Sequence, residues 1–218
     1  MADNYLEKRY EEVFGNGGSG KKKTVPAKTV HSLDTLLCRN RSHRGYDQSV
    51  VVTKDQLREI VKVNTMIASS VNQQALRFHL VTRDTGGDRL MSLIHFGRAL
   101  PELNLPFPGT APQAFIIICA TKEINRSLDI DLGISLQSMA LKAVDMGLNA
   151  LMVRNFKAED LIREFNLELF PVAVLAVGKG NEKIFLMPIG QEEDHNYYRK
   201  DGIHYVPKVR LDDLIIGE

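Results

Sequence analysis

The stretch Ala114-Phe115-Ile116-Ile117-Ile118-Cys119-Ala120 constrains the fold of this chain most. An unbroken apolar run of this length does not suit a strand with one solvated face, which alternates apolar and polar residues. It reads as a strand covered on both sides. The covering layers are also visible. Asp129 to Met146 is a long helix pattern with small and apolar residues nearly all round, as expected at the centre of a fold or in a subunit interface. Thr53-Lys54-Asp55-Gln56 is a capping box that opens a helix through Leu57, Ile60, Val61 and Met66.

The remaining elements follow from the same periodicities. Strands are predicted at Phe78 to Thr82, Leu148 to Val153 and Val172 to Val177, the last ended by Gly178-Lys179-Gly180. Helices are predicted from Ser32, with Leu33, Leu36 and Leu37 on one side, at Asp88 to Phe96, and at Ala158 to Phe165. Gly97 to Pro112 is a long loop with four prolines, a place where lids often sit. The tail from Gly190 is polar and then extended. The pattern is that of an α/β chain with about four core strands and more helix than strand.

The division expected along the chain is an N-terminal segment, 1–30, followed by one domain, 31–218. Within the first, Tyr5, Leu6, Tyr10, Val13 and Phe14 sit among charges and suit an exposed amphipathic helix, and a Gly/Lys linker follows. That linker, Gly15-Asn16-Gly17-Gly18-Ser19-Gly20-Lys21-Lys22, matches G-x-G-x-x-G and nearly matches a P-loop. Both motifs need a strand before and a helix after, so that a helix N-terminus faces phosphate. Here a charged helical segment precedes and Pro26 soon follows, so the match is read as linker.

The net charge of +1 argues against non-specific nucleic-acid binding, so the basic residues matter by placement. Cys38 and Cys119 have no neighbouring cysteine to make a metal pair and are expected to be reduced, buried thiols. The start of the chain carries no apolar stretch behind its charges, and the apolar region from Ile130 to Val153 is interrupted by Asp131, Lys142 and Asp145. The expectation is a soluble, cytoplasmic protein with neither membrane nor nucleic-acid partners.

Three polar groupings carry the chemistry. Arg39-Asn40-Arg41-Ser42-His43-Arg44 and Lys208-Val209-Arg210 lie near opposite ends of the chain. Forked arginine donors match phosphate oxygens. Arg41 and Arg44 can share a side of a turn, and Lys208 and Arg210 share a face of an extended strand. Between them, Ser69-Ser70-Val71-Asn72 follows an apolar helix face. It reads either as a helix cap and turn or as short donors and acceptors along a ring edge. A dianionic phosphate, a polar ring edge and a flat ring face would together use all three groupings, which suggests flavin mononucleotide (FMN).

These residues also carry a resemblance. Asn40-Arg41-Ser42-His43-Arg44-Gly45-Tyr46 is similar to the basic opening of the nitroreductase-like flavoproteins, with Asn40 at the first basic position. Ile67 to Leu76 resembles the family's Ala-Pro-Ser-Ser-x-Asn-x-Gln-Pro-Trp, with Ala68 and Ala75 for the prolines and Leu76 for the tryptophan. Asp131, the run Ala143 to Leu148, Pro171 to Gly178, and Lys208 with Arg210 follow in the family's order. Where members often carry Glu-Gly, this chain has Arg154-Asn155.

The resemblance implies an α+β, three-layer fold with a mixed central sheet flanked by helices. It implies a homodimer built on the long central helix, with each FMN site shared by two subunits. Arg41, Ser42, Arg44, Lys208 and Arg210 would hold the phosphate and the polar ring edge. Ser69, Ser70 and Asn72 would come from the partner, and Met152, Val153, Arg154 and Asn155 would flank the ring. Hydride would pass from NAD(P)H through flavin N5 to a nitroaromatic, quinone or similar conjugated acceptor. Arg44 would stabilise reduced flavin at N1, and no metal or protein nucleophile is needed. A specialised flavin reaction such as reductive dehalogenation, and a non-enzymatic flavin-binding module, remain alternatives.

Overall fold

The computed structural model describes residues 31–97 and 100–217; the helix and linker expected within 1–30 lie outside them. Four strands form the main sheet in the order β1-β2-β4-β3: β1 (Leu76–Val81), β2 (Ala114–Ala120), β3 (Asn149–Val153) and β4 (Phe170–Gly178). The expected run 114–120 is β2 itself, and all seven residues are buried.

Alternation along β2 sorts its residues between two cores. Ala114, Ile116, Ile118 and Ala120 join Leu175 and Val177 of β4 on one face. Helices α2 (Lys54–Val61) and α4 (Arg126–Asp145) cover that face with Leu57, Ile60, Leu132, Leu136, Met139 and Ala143. Phe115, Ile117 and Cys119 join Val174 and Ala176 on the other face. There α3 (Arg83–Met91) and α5 (Ala158–Phe165) supply Leu90 and Leu161. The result is the expected helix–sheet–helix layering around a doubly covered sheet.

Every pairing in the main sheet is antiparallel, where a mixed sheet was expected. β2 and β3 do run in the same direction, but β4 lies between them. Parallel pairing occurs instead in a second sheet built from the tail. In it, β7 (Ile203–Val209) runs parallel to β5 (Lys183–Ile189) and antiparallel to β6 (Tyr198–Lys200).

Local signals account for most helix limits. The capping box at Thr53 and Gln56 is formed, with both reciprocal hydrogen bonds present. The helix it opens ends at Val61, and a 3-10 turn at Lys62–Thr65 replaces the continuation expected to Met66. α4 starts under the Asn125 side chain, which accepts from the Leu128 amide. It stops in a Schellman arrangement: Leu148 N donates to Ala143 O at 2.8 Å, Gly147 N donates to Val144 O at 2.9 Å, and Gly147 takes φ +77°. α3 begins several residues before the expected Asp88, because Thr82 and Thr85 form a capping box ahead of Gly86-Gly87. Ahead of α2 lies α1 (Leu33–Arg39), which follows Ser32 as expected and is capped by its side chain. Cys38 on α1 is exposed, where a buried thiol was expected, because no side of this short helix is buried, while Cys119 is buried in β2. α6 (Leu211–Leu214) follows β7. Among the described residues no helix is long and apolar enough to cross a membrane.

Candidate functional site

The loop after α1 is laid against the turn that follows β4. Tyr46 bridges to Gly180, Asp47 N donates to Lys179 O at 2.8 Å, and Asn181 N donates to Gly45 O at 3.2 Å. Glu182 accepts from the amides of Arg44 and of Gly45. This closeness depends on glycine at two positions. A Cβ at Gly180 would collide with the His43 ring, and one at Gly45 would lie 2.8 Å from the Asn181 side chain. The Gly178-Lys179-Gly180 motif that ends β4 is therefore also the seat of the basic opening.

Seated in this way, the loop faces the second sheet. Asn40, Arg41, Ser42 and Arg44 line a cavity of about 240 Å³ together with Ile184, Tyr197, His204, Val206 and Lys208. The period of two along β7 puts His204, Val206 and Lys208 on one face. The Nε atoms of Arg41 and Arg44 are buried there without a hydrogen-bond partner among the described residues. Burial holds the Arg41 guanidinium below its ordinary pKa, as expected for a cation lacking a counter-charge. Its Nη2 donates to Leu37 O at 2.7 Å, which ties it to the end of α1.

Arg44 is the most constrained of these cations. Nη1 donates to Ser42 O at 3.2 Å and lies 3.5 Å from His204 Nε2, and the guanidinium sits 4.7 Å from the centre of the Tyr197 ring. Burial, with Arg44 and Arg199 beside it, brings the His204 pKa down to about 4. The imidazole is therefore neutral at pH 7 and can accept from Arg44. Burial likewise lowers the His43 pKa, against the opposing pull of Glu182.

A second cavity, of about 460 Å³, adjoins the first. Arg44 and Tyr197 line both. Met152, Val153, Arg154 and Asn155 line the second from the end of β3, and His95, Phe96 and Gly97 line it from the loop after α3. Asn155 O accepts from His95 N at 3.0 Å, which fixes that loop to the strand end. The Arg154 side chain points to Asp129 in the first turn of α4, at 3.7 Å. Asn155 is not among the residues with positive φ.

Four sequence candidates lie elsewhere. Arg210 does not join Lys208: β7 ends at Val209, so the alternation stops one residue too early. Arg210 instead pairs with Glu193 at 3.4 Å and Asp213 at 3.9 Å, beside a different cavity. Ser69, Ser70 and Asn72 line neither cavity of their own chain. Buried Asp131 organises their loop, accepting from Ser69 Oγ and Ser70 N at 2.8 Å each. Val71, Asn72 and Gln74 all take positive φ, and Val71 is 89% exposed. A β-branched residue in that region is strained, and such strain concentrates at functional loops.

His204, Tyr197 and Glu182 are among the residues of the site that escape the sequence reading. His204 carries a usable signal, standing four residues before Lys208 on the same strand face. Tyr197 and Glu182 carry none, because both act through contacts made only once the tail folds back.

Solved structures share this fold. A nitroreductase family protein from Clostridium novyi superposes with a TM-score of 0.57 at 16% identity, over 69% of this chain and 86% of that one. A protein from Exiguobacterium sibiricum, described as a nitroreductase in complex with FMN, gives 0.57 at 19% identity, over 71% and 90%. One from Staphylococcus epidermidis, described as an NAD(P)H:FMN oxidoreductase, gives 0.55 at 17% identity, over 70% and 89%. No curated protein matches the chain. The nitroreductase family model matches residues 39–179, well over half of the sequence, and the chain belongs to that family.

Proposed function

We propose that this protein is an FMN-dependent oxidoreductase that draws hydride from NAD(P)H and delivers it to nitroaromatic, quinone or similar conjugated acceptors. The observation that carries the reading is the shared cavity of Arg41, Ser42, Arg44 and Lys208, in which two arginine Nε donors have no partner. That donor set fits a phosphate monoester, which carries nearly two negative charges and takes several charge-assisted hydrogen bonds. The adjoining cavity at the end of β3 has room and apolar wall for a flat ring.

In this reading Arg41, Ser42 and Lys208 bind the phosphate, and Arg44, fixed between the cavities, supplies positive charge to both ends of the ligand. Met152, Val153, Arg154 and Asn155 border the ring. FMN held by these residues would supply the two-electron chemistry between a nicotinamide donor and the acceptor. The protein contributes position and a preorganised field, which is where most of the catalytic effect of such sites lies.

The functional form is a homodimer in which Ser69, Ser70 and Asn72 reach the partner's site. Support comes from apolar residues left in solvent: Ile130 (55% exposed) and Ile134 on α4, and Leu33 and Leu37 on α1. These two helices are tied by the Asn40 amide, which donates to Gln137 at 3.4 Å.

An absorption spectrum of the purified protein with added FMN, followed by anaerobic NADH and NADPH, tests the reading. Bound flavin that bleaches with a nicotinamide supports it. Bound flavin that ignores both leaves a flavin-binding module, and no uptake of FMN overturns it.

A further inference from the structure

Glu182 is a carboxylate with its side chain 8% exposed, placed among positively charged and titratable neighbours. Oε2 accepts from the amides of Arg44 and Gly45, and Oε1 takes the Arg199 guanidinium. His43 Nδ1 lies 3.9 Å from Oε2. His204 completes the group: its Nε2 lies 3.5 Å from Arg44 Nη1, and it lines a cavity with Glu182 and Arg199. The distribution of contacts is uneven in an informative way. Glu182 spends its side-chain ion pairing on Arg199 and holds Arg44 only by the backbone. Among the described residues no carboxylate lies within ion-pair distance of the Arg44 guanidinium. Its partners are a carbonyl, a neutral imidazole and a ring face.

We infer that Glu182 is the positioning residue of the site: it pins the Arg44-Gly45 backbone and neutralises Arg199, which leaves the Arg44 charge free for the ligand. The inference rests on the FMN reading above. Without Glu182, the largely buried Arg199 guanidinium would lose its counter-charge, and the loop would lose the acceptor for two of its amides. Buried polar groups deprived of partners force such a segment to move. The close approach at Gly45, whose Cβ would sit 3.4 Å from Glu182 Cγ, shows how tightly this carboxylate is fitted to the loop.

The inference makes a prediction of counterintuitive sign. By net charge alone, removing an anion near a phosphate site should tighten FMN binding. Positioning demands the reverse. FMN titration of wild type and of Glu182→Gln, followed by flavin fluorescence, should show about ten- to a hundredfold weaker binding in the variant. Glu182→Gln combined with Arg199→Gln removes both charges and should recover part of that loss, with circular dichroism showing each variant folded under the titration conditions so that the loss is one of affinity and not of structure. Glu182→Asp keeps the charge but withdraws it by one methylene from the two amides, so it should also bind more weakly than wild type. It serves if the Gln variant does not fold. Variants that bind FMN as tightly as wild type or tighter overturn the inference while leaving the FMN reading intact. A wild type that takes up no FMN overturns both.

Discussion

Arg41 and Lys208 line one cavity, although one follows the first described helix and the other lies near the end of the last strand. Neither cluster alone distinguishes a binding site from a solvated surface, where isolated charges contribute little. Their convergence favours the proposed site, because two separate stretches of backbone bring cations together at an electrostatic cost that a bound anion would offset.

The tail offers an internal control. Lys208 faces the cavity and Arg210 pairs with Glu193 and Asp213, so the two should respond differently. Lys208→Ala should weaken FMN binding about tenfold, in the range of a charge-assisted hydrogen bond. Arg210→Ala should change it less than about twofold and cost at most ~1 kcal/mol of stability, as exposed pairs do. Calorimetric titration and denaturant unfolding of the two variants check this.

Gly180→Ala should be disproportionately harmful for one methyl group. The added carbon meets the His43 ring, which cannot retreat because Tyr46 and Asp47 are bonded to the same turn. Overpacking of this kind costs about 1–3 kcal/mol. Thermal unfolding should fall by several degrees, at roughly 2–4 °C per kcal/mol for a chain of this size. FMN binding should weaken in parallel, since the displaced loop carries Arg41 and Arg44.

Acid should destabilise the fold through His204. Its folded pKa of about 4 lies below the ordinary value of 6.5, so between these limits the unfolded chain binds more protons. The stability contributed by the neutral ring is complete above pH 6.5 and is lost as pH falls toward 4. The loss is on the order of a few kcal/mol. His43 is shifted in the same direction and adds to the slope. Urea unfolding at pH 7.5 and at pH 5 measures it, and His204→Asn should flatten the difference. Equal stability at the two pH values would contradict the assignment.

Ile134→Lys tests the subunit arrangement. Ile130 and Ile134 lie one turn apart on α4 and are exposed in the single chain. Burial of such a pair against a second copy stabilises an interface, and a lysine there would have to be desolvated. Light scattering should find a dimer for the native chain and a monomer for the variant. Because Ser69, Ser70 and Asn72 are assigned to the partner's site, the variant should also lose FMN affinity.

Much of this arrangement was legible before folding because it is local. The unbroken apolar run at 114–120 required two covering layers, and alternation along it assigns Ile116 and Ile117 to opposite cores. The Thr53 box and the Gly147-Leu148 ending mark helix limits by capping chemistry that acts within six residues. What escaped was nonlocal. Strand direction depends on how connections cross the sheet, so composition could not reveal that β4 separates β2 from β3. Pro188 concealed β5, although an edge strand tolerates proline. Arg210 falls one residue beyond the end of β7, a limit that its spacing from Lys208 does not reveal, and Tyr197 and Glu182 acquire roles only when the chain after β4 packs against the first loop.

The phosphate itself is the most direct probe of the central claim. Affinities for FMN and for riboflavin, which lacks the phosphate, should be measured on the native chain, Arg41→Ala, Lys208→Ala and the double variant. The native chain should bind FMN far more tightly, each single change should erode that preference, and the double variant should erase it while leaving riboflavin affinity nearly unchanged. Equal affinity of the native chain for both flavins, or equal weakening of both by the two substitutions, would contradict the claim that Arg41 and Lys208 grip one phosphate.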